Sequence, residues 1–331
     1  MKPTTDDPQP EHAFVLPPEL IGASPRTAAA AALARRAAKT DDSTLVIVEE
    51  GLSAERIARA IHDGSARAQR SFIVVDCGAG DATSVTAELF GSSGDRRLEL
   101  EAVTRESALV RADGGTLFLA NAGELPATAQ LRLARALRDG EVRVEGDTAP
   151  LAARIVAGAA LEIDRDVEEK RFRADLHRRL QRIRIEVPPL RDRSDDLPQI
   201  LAAVLESACR NTTRRTLAPA ALTALCALPW PGNLDELSRM MHRLVERVPS
   251  TTIRQEDVLA ELQFAPRRPA RRLTSLREAR LAFEREYIAS VLEAHGWSMS
   301  AAARTLGIER ANLYRKTRQL GITRVKRTRV S

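Results

Sequence analysis

The stretch from Thr44 to His62, TLVIVEEGLSAERIARAIH, has the pattern of a short β-branched strand, a turn and an amphipathic helix. A phosphate-binding loop occupies this setting and has the form GxxxxGK(S/T), in which glycines let backbone N–H groups wrap the phosphates and a lysine neutralises them. The corresponding residues here, VEEGLSAE at 48–55, contain one glycine, Gly51, and have Ala54 in place of the lysine. The stretch predicts the scaffold of a nucleotide site without its main positive charge.

A second group of residues with binding chemistry lies near the C-terminus. Ala302, Ala303 and Leu306 indicate a short helix, Gly307 a tight turn, and residues 309–320 a second helix. This is the pattern of a helix-turn-helix, and Arg, Lys and Asn on its second helix can bond base edges and phosphates of double-stranded DNA. The alternative is an ordinary helical hairpin with a solvated basic face. The basic and amide residues concerned are Arg310, Asn312, Arg315, Lys316 and Arg318.

The distribution of charge favours the DNA interpretation. From Pro266 to Ser331 the chain has 16 Lys and Arg against 5 Glu, whereas the remainder has 35 basic and 40 acidic residues. A strongly basic end on a nearly neutral body indicates a polyanionic partner for that end.

The elements that must position these residues divide the chain into five parts. Residues 1–20 are rich in Pro and Asp and are predicted to be a disordered tail. In 21–189, short apolar strands alternate with helices, which predicts an α/β subdomain with helices on both faces of a parallel sheet. Residues 190–264 have a wholly helical pattern, 265–274 form a basic linker that contains proline, and 275–331 form the basic helical unit.

Several classes of protein have little support. No apolar run approaches the roughly 18 residues needed to cross a bilayer, and the N-terminus lacks a signal-peptide pattern, so we expect a cytoplasmic, nucleoid-associated protein without a membrane partner. The three cysteines and five histidines are scattered without metal-ligand spacing, and no metal site is predicted.

Ordered motifs connect the chain to a known family. They are AELFG (Ala87–Gly91), ADGGTLFL (Ala112–Leu119), GELP (Gly123–Pro126), FRADLHRRL (Phe172–Leu180), VPPLRDRSDDL (Val187–Leu197) and WPGNLDEL (Trp230–Leu237). Together they resemble the AAA+ domain of the NtrC-like bacterial enhancer-binding activators, which act on sigma-54 RNA polymerase. The C-terminal AARTLGIERANLYRKTRQLGI resembles a Fis-type helix-turn-helix, with Thr317 where that family usually has leucine. The resemblance implies an AAA+-like core, an all-α lid and a Fis-type unit.

The same resemblance identifies what the nucleotide site lacks. Ala54 replaces the lysine, Ala120 the aspartate that holds Mg²⁺, and Asn121 the glutamate that polarises the attacking water. Ala160 replaces a polar residue near the γ-phosphate, and Asp235 the arginine that reads nucleotide state. Because phosphoryl transfer depends on neutralising charge, we expect no catalytic residues, no cofactor, and ATP and Mg²⁺ unbound or bound weakly. The predicted vestigial site is Gly51, Ser53, Ala54, Glu55, Ala120, Asn121, Ala160 and Asp235.

Two further family features bear on assembly. Arg173 and Arg179 match the arginine fingers that reach a neighbouring subunit's nucleotide, and without that nucleotide we predict that they form structural ion pairs. The GAFTGA loop that engages the sigma factor should follow Gly91, but the chain has a charged segment there that preserves none of the pattern and is interpreted as a plain insertion.

The Fis-type pattern also assigns roles at the DNA. Arg310 falls where the family's base-reading arginine lies, and Glu309 can accept a hydrogen bond from cytosine N4. Phosphate contacts are expected at Ser300, Asn312, Arg315 and Lys316. Such units generally work as dimers, which predicts a homodimer on an inverted repeat.

These inferences lead to one preferred function and two alternatives. We expect a sequence-specific DNA-binding transcriptional regulator whose non-hydrolysing AAA+-like core serves for oligomerisation or for binding RNA polymerase or another regulator. The first alternative is a divergent ATP-dependent sigma-54 activator. The second is a pseudo-ATPase antagonist that mixes with an active relative.

Overall fold

The apolar runs of the first half of the chain form one five-stranded parallel sheet, as the sequence predicts. Strands are β1 (Thr44–Ile47), β2 (Phe72–Asp76), β3 (Ala102–Val103), β4 (Thr116–Ala120), β5 (Glu141–Val144), β6 (Asp147–Pro150), β7 (Arg154–Ala159), β8 (Ile183–Glu186), β9 (Thr216–Leu217) and β10 (Thr252–Ile253). The order in the main sheet is β2–β4–β7–β1–β8, and every neighbouring pair is parallel.

The computed structural model describes most of the chain in two units, residues 1–263 and 264–331. The described residues are 14–91, 102–210, 212–264, 288, 291–292, 295, 297–306, 313 and 316–317. The helices among them are α1 (Pro25–Ala38), α2 (Ala54–Asp63), α3 (Ala82–Phe90), α4 (Ala108–Arg111), α5 (Ala127–Asp139), α6 (Ile163–Glu168), α7 (Ala174–Leu180), α8 (Leu197–Ala208), α9 (Pro219–Cys226), α10 (Asn233–Arg247), α11 (Gln255–Phe264) and α12 (Met299–Thr305).

The two faces of the sheet bury two separate hydrophobic cores, because successive strand residues point to opposite faces. Val46 and Val156 pack with α1, α2, α8 and α10 on one face. Leu45, Ile47 and Leu117 pack with α3, α5 and α7 on the other. The predicted α/β sandwich is therefore confirmed, and the helices α8 and α10 share a core with the sheet.

Short strands are where the structure departs from the sequence prediction. The edge strand β8 was not predicted, although the run IRIE alternates apolar and charged residues as a half-buried strand does, because four residues give only a weak periodic signal. The antiparallel hairpin of β5 and β6, extended by β3, was also not predicted. The segment predicted to be wholly helical, 190–264, contains the two-residue parallel pair of β9 and β10, which is too short to leave a periodic signal.

The prediction of a disordered tail over 1–20 is wrong for residues 14–20. Pro18–Leu20 form a 3₁₀ helix, Leu20 is fully buried, and Phe14 and Leu16 pack against the core. The reason is the apolar sequence FVLPPEL, which buries surface as effectively as a helix face. We call residues 14–20 the N-terminal strap. Residues 1–13 and the basic linker 265–274 lie outside the described residues.

The C-terminal unit has its own small core. Ala302 and Ala303 of α12 are buried with Ile288, Leu292 and Leu313. The short helix and the inward position of Leu313 agree with the helix-turn-helix prediction.

Asp196 ties the start of α1 to the start of α8. Its carboxylate accepts hydrogen bonds from Ala23 N–H, Ser24 N–H, Ser24 Oγ and Thr27 Oγ1 at 2.6–2.9 Å. Burial alone would raise the pKa of Asp196, but the hydrogen bonds from Ser24, Thr27 and Ala23 hold it below its ordinary value. The ionised form is therefore the one that stabilises the fold.

We expect Asp196→Ala to lower the free energy of unfolding by about 3 kcal/mol at pH 7, because four donors, among them the buried Thr27 hydroxyl, lose their acceptor. The depressed pKa means that the stabilisation is complete above about pH 4 and is lost as the pH falls through the folded-state value. Urea unfolding of both proteins from pH 3 to pH 8 measures the difference. The neighbouring exposed Asp195→Ala is the matched control, and a difference independent of pH would contradict the assignment.

Candidate functional site

The loop between β1 and α2 keeps the geometry of a strand–turn–helix. Ser53 caps α2 by accepting a hydrogen bond from Arg56 N–H at 3.2 Å, and Ala54 is the first helical residue. Glu55 lies in the first turn, where its carboxylate pairs with Arg59 at 2.9 Å. The loop thus presents a helix N-terminus, which attracts anions, and the added charge that opposes it is the carboxylate of Glu50.

A cleft of about 310 Å³ lies between this loop and the carboxyl ends of β4 and β7. Five predicted residues line it together, namely Ala54, Glu55, Ala120, Asn121 and Ala160. They converge because parallel strands place their carboxyl ends along one edge of the sheet. The remaining walls are Val48, Glu49, Glu50, Leu52, Phe118, Gly158 and Ala159.

The charge of the cleft is opposite to that of a phosphate site. Glu49, Glu50 and Glu55 line it, and its described walls contain no Lys, Arg or His. Asn121, which has a left-handed backbone at φ +51°, donates a hydrogen bond to Asp76 Oδ1 at 2.8 Å across the ends of β2 and β4. The amide side chain is therefore held by a neighbouring carboxylate.

Backbone contacts join the loop to the helical segment 190–264, which we call the lid. Gly51 C=O accepts a hydrogen bond from Asp235 N–H at 3.0 Å. The fully buried side chain of Asn233 donates to Glu50 C=O at 2.8 Å and accepts from Leu190 N–H at 2.9 Å. Gly51 and Asp235, two members of the predicted vestigial site, thus meet each other rather than the cleft.

Ion pairs add to this junction. Glu49 pairs with Arg191 of the lid at 2.8 Å. Asp235 lies 3.5 Å from Arg56 of α2, and both side chains are substantially exposed, so this pair contributes little. The lid carries a carboxylate toward α2 at the position where the family resemblance implies an arginine.

Sequence analysis missed a buried charge cluster beside the same loop. Glu19 of the strap is fully buried, and its carboxylate lies 2.9 Å from Arg56 Nε and 3.3 Å from Ser53 N. Burial raises the pKa of Glu19, while the Arg56 guanidinium acts in the opposite direction. Arg193 of the lid donates to Glu19 C=O at 2.6 Å. The one available signal was a lone glutamate within the apolar run VLPPELIG.

The two predicted arginine fingers have different environments. Arg173 forms the predicted ion pair, with Asp175 at 2.8 Å, on the surface. Arg179 instead donates to the backbone carbonyl of Leu137 at 3.3 Å. The segment 92–101, where the GAFTGA loop would follow Gly91, lies outside the described residues.

The candidate DNA-binding residues are described only in part. Ser300 belongs to α12, and Lys316 is helical and partly exposed. Glu309, Arg310, Asn312, Arg315 and Arg318 lie outside the described residues.

Other kinds of site find no support in the part of the chain that the structure describes. No group of three or more His, Cys, Asp or Glu there could hold a metal ion. No described helix is both long and apolar enough to span a bilayer. Burial raises the pKa of Cys77 to about 12, so this thiol stays protonated and unreactive at neutral pH.

A parallel sheet in the order β2–β4–β7–β1–β8, with a helical lid closing on the loop after the first strand, defines an AAA+ protein. Three family models match consecutive parts of the chain: sigma-54 interaction domain over 20–186, AAA+ ATPase lid domain over 191–274, and bacterial regulatory protein, Fis family, over 280–320. The chain belongs to the sigma-54 interaction domain family, as the ordered motifs predict.

Individual relatives agree with this assignment. The hydrogenase transcriptional regulatory protein HoxA of Cupriavidus necator is 34% identical over 304 residues, covering 88% of this chain and 63% of that protein. The transcriptional regulatory protein ZraR of Klebsiella oxytoca is 31% identical over 307 residues, covering 90% and 68%. The structure of NtrX from Brucella abortus in complex with ATP has a TM-score of 0.62 at 28% identity and covers 91% and 69%. This chain therefore spans less than two thirds of the length of HoxA.

The contact between loop and lid predicts that a side chain at Gly51 is poorly tolerated. Gly51 has φ +85°, and an added Cβ would lie 2.1 Å from Gly232 C=O in the lid. Gly140 has a similar φ of +72° but open space around it. We expect Gly140→Ala to cost about 1 kcal/mol from backbone strain and Gly51→Ala about 3 kcal/mol, because the lid must also move. Urea unfolding measures both, and equal losses would contradict the role of the contact.

Proposed function

We propose that this chain is a sequence-specific DNA-binding transcriptional regulator whose AAA+ core does not hydrolyse ATP and serves for oligomerisation or partner binding. The observation that carries the proposal is the composition of the cleft. Ala54 and Ala120 line it where the family resemblance implies lysine and aspartate, and three glutamates surround the same space.

The electrostatic energies in the cleft support the loss of nucleotide binding. Two unit charges 4 Å apart interact by about 4 kcal/mol at an effective dielectric constant near 20. That figure is an upper bound for a phosphate beside Glu50, because Glu50 is exposed and solvent screens it, and Glu55 is paired with Arg59. A helix N-terminus attracts an anion by only about 0.3–1 kcal/mol at an exposed site, and no lysine lines the cleft to add to that attraction.

The DNA-binding part of the proposal rests on the C-terminal unit. This unit matches the Fis-family model, has a buried helical core and carries an excess of basic residues. These features are typical of a helix-turn-helix that binds duplex DNA. HoxA and ZraR carry names of transcriptional regulators. A homodimer, with RNA polymerase or another regulator as protein partner, fits this class.

We expect the purified protein neither to hydrolyse ATP nor to bind it tightly, because the cleft is acidic and has no lysine. Calorimetry with Mg²⁺ and ATP and a phosphate-release assay measure both properties. The variant with Glu50→Ser, Ala54→Lys, Ala120→Asp and Asn121→Glu is the matched positive control and should gain Mg²⁺-ATP binding.

Turnover by the wild-type protein that Ala54→Glu abolishes would refute the proposal, because the activity would then arise in this cleft. It would support a divergent ATP-dependent activator instead. Assembly that requires an active relative would favour the antagonist.

We expect Arg310→Ala to cost about 1–3 kcal/mol on a specific duplex and to relax preference at one base pair, as for loss of a bidentate base contact. Lys316→Ala, the matched control for a phosphate contact, should weaken binding to all sequences alike and reduce the salt slope by about one unit. Binding isotherms on specific and scrambled duplexes at several salt concentrations distinguish the two effects.

An equal loss on both duplexes for Arg310→Ala would show that this residue does not read a base. A salt slope unchanged by Lys316→Ala would likewise remove Lys316 from the phosphate contacts.

A further inference from the structure

The strap buries one carboxylate completely. Glu19 is 0% exposed, although it belongs to a segment without regular strands or long helices. Moving an ionised carboxylate out of water is costly unless opposite charges and hydrogen-bond donors surround it. The charged groups and hydrogen-bond donors around Glu19 therefore decide whether its ionised carboxylate is stabilised there.

Those groups come from both the α/β core and the lid. From α2, Arg56 Nε lies 2.9 Å from Oε1, and from the loop the Ser53 N–H donates to the same oxygen at 3.3 Å. From the lid, the guanidinium of Arg193 donates to Glu19 C=O at 2.6 Å and interacts electrostatically with its carboxylate. Arg56 and the loop N–H thus contact the Glu19 carboxylate directly, while Arg193 interacts electrostatically with both Asp196 and Glu19.

Some buried polar atoms of the cluster have no hydrogen-bond partner among the described residues. Among the described residues, Glu19 Oε2 and the Nε and Nη2 of Arg193 are buried without a hydrogen-bond partner. Arg193 is itself only 2% exposed. A buried guanidinium that bonds the backbone of Glu19, together with Arg56 and the Ser53 N–H at the start of α2, is the environment of an anion site and not of an apolar junction.

We infer that the side of α2 that faces the strap, away from the cleft, is an internal anion-binding site formed by Arg56 and the Ser53 N–H, and that the Glu19 carboxylate of the same chain occupies it while the Glu19 C=O bonds Arg193 of the lid. This inference rests on the proposed function, in which no nucleotide phosphate lies at the start of α2. The carboxylate of Glu19 meets Arg56 and its backbone C=O meets Arg193, and the site accepts a small external carboxylate only when the Glu19 side chain is removed.

Chemical rescue tests the assignment. Glu19→Ala should lower the Tm by about 5 °C, on the scale of about 2–4 °C per kcal/mol for a protein of this size. Sodium formate, which can place a carboxylate in the space that is opened, should restore at least half of that loss, whereas sodium chloride at the same concentration should not. The wild-type Tm should respond equally to the two salts.

Two variants serve as controls. Glu19→Gln fills the same space with a neutral amide, so it should be destabilised without rescue by formate. Glu186→Ala removes an exposed glutamate that pairs with Arg184 at 2.6 Å, and it should show neither a comparable loss nor rescue. A Glu19→Gln protein as stable as the wild type, or no formate-specific effect on Glu19→Ala, would overturn the inference.

If Glu19→Ala does not fold at all, the yield of refolded protein in sodium formate is compared with the yield in sodium chloride. Higher yield in formate supports the site, and equal yields refute it. The ATPase assay separates this inference from the proposed function. ATP hydrolysis by the wild-type protein together with formate rescue of Glu19→Ala would refute only the proposed function. No hydrolysis and no formate rescue would refute only the internal anion site.

Discussion

The buried side chain of Asn233 is the interaction on which the arrangement of the core and lid depends. It bonds the loop after β1 through Glu50 C=O and the start of the lid through Leu190 N–H. Its position has φ +49°, and Gly51 opposite it has no room for a side chain. Since buried amide groups are costly when unpaired, this junction must form as a unit.

Around that junction, ion pairs connect the loop, the lid, α2 and the N-terminal strap. The lid presents Asp235 where the family resemblance implies an arginine, and this carboxylate faces Arg56 of α2. Glu49 pairs with Arg191, and Glu19 pairs with Arg56. In our account, these ion pairs stabilise the loop although Ala54 stands in place of its lysine, so the fold is retained while the phosphate chemistry is lost.

The sequence could predict the sheet and the members of the cleft, because both follow from local pattern. β-Branched runs such as TLVIV predict strands, and parallel strands bring Ala120 and Ala160 to the same edge of the sheet. Glu19 could not be found this way, since its partners Ser53 and Arg193 are distant in sequence and only tertiary packing joins them. The edge strand β8 was missed although its apolar and charged residues alternate as its burial does, because a run of four residues gives little periodic signal.

Hydrogen exchange of the wild-type protein with and without Mg²⁺-ATP tests the central claim most directly, namely that core and lid are joined without nucleotide. The peptides to follow contain the loop 48–55 and the lid segment 190–197. Our account predicts slow exchange in both segments without nucleotide and no change when millimolar Mg²⁺-ATP is added. Rapid exchange that becomes protected on addition of Mg²⁺-ATP would contradict it.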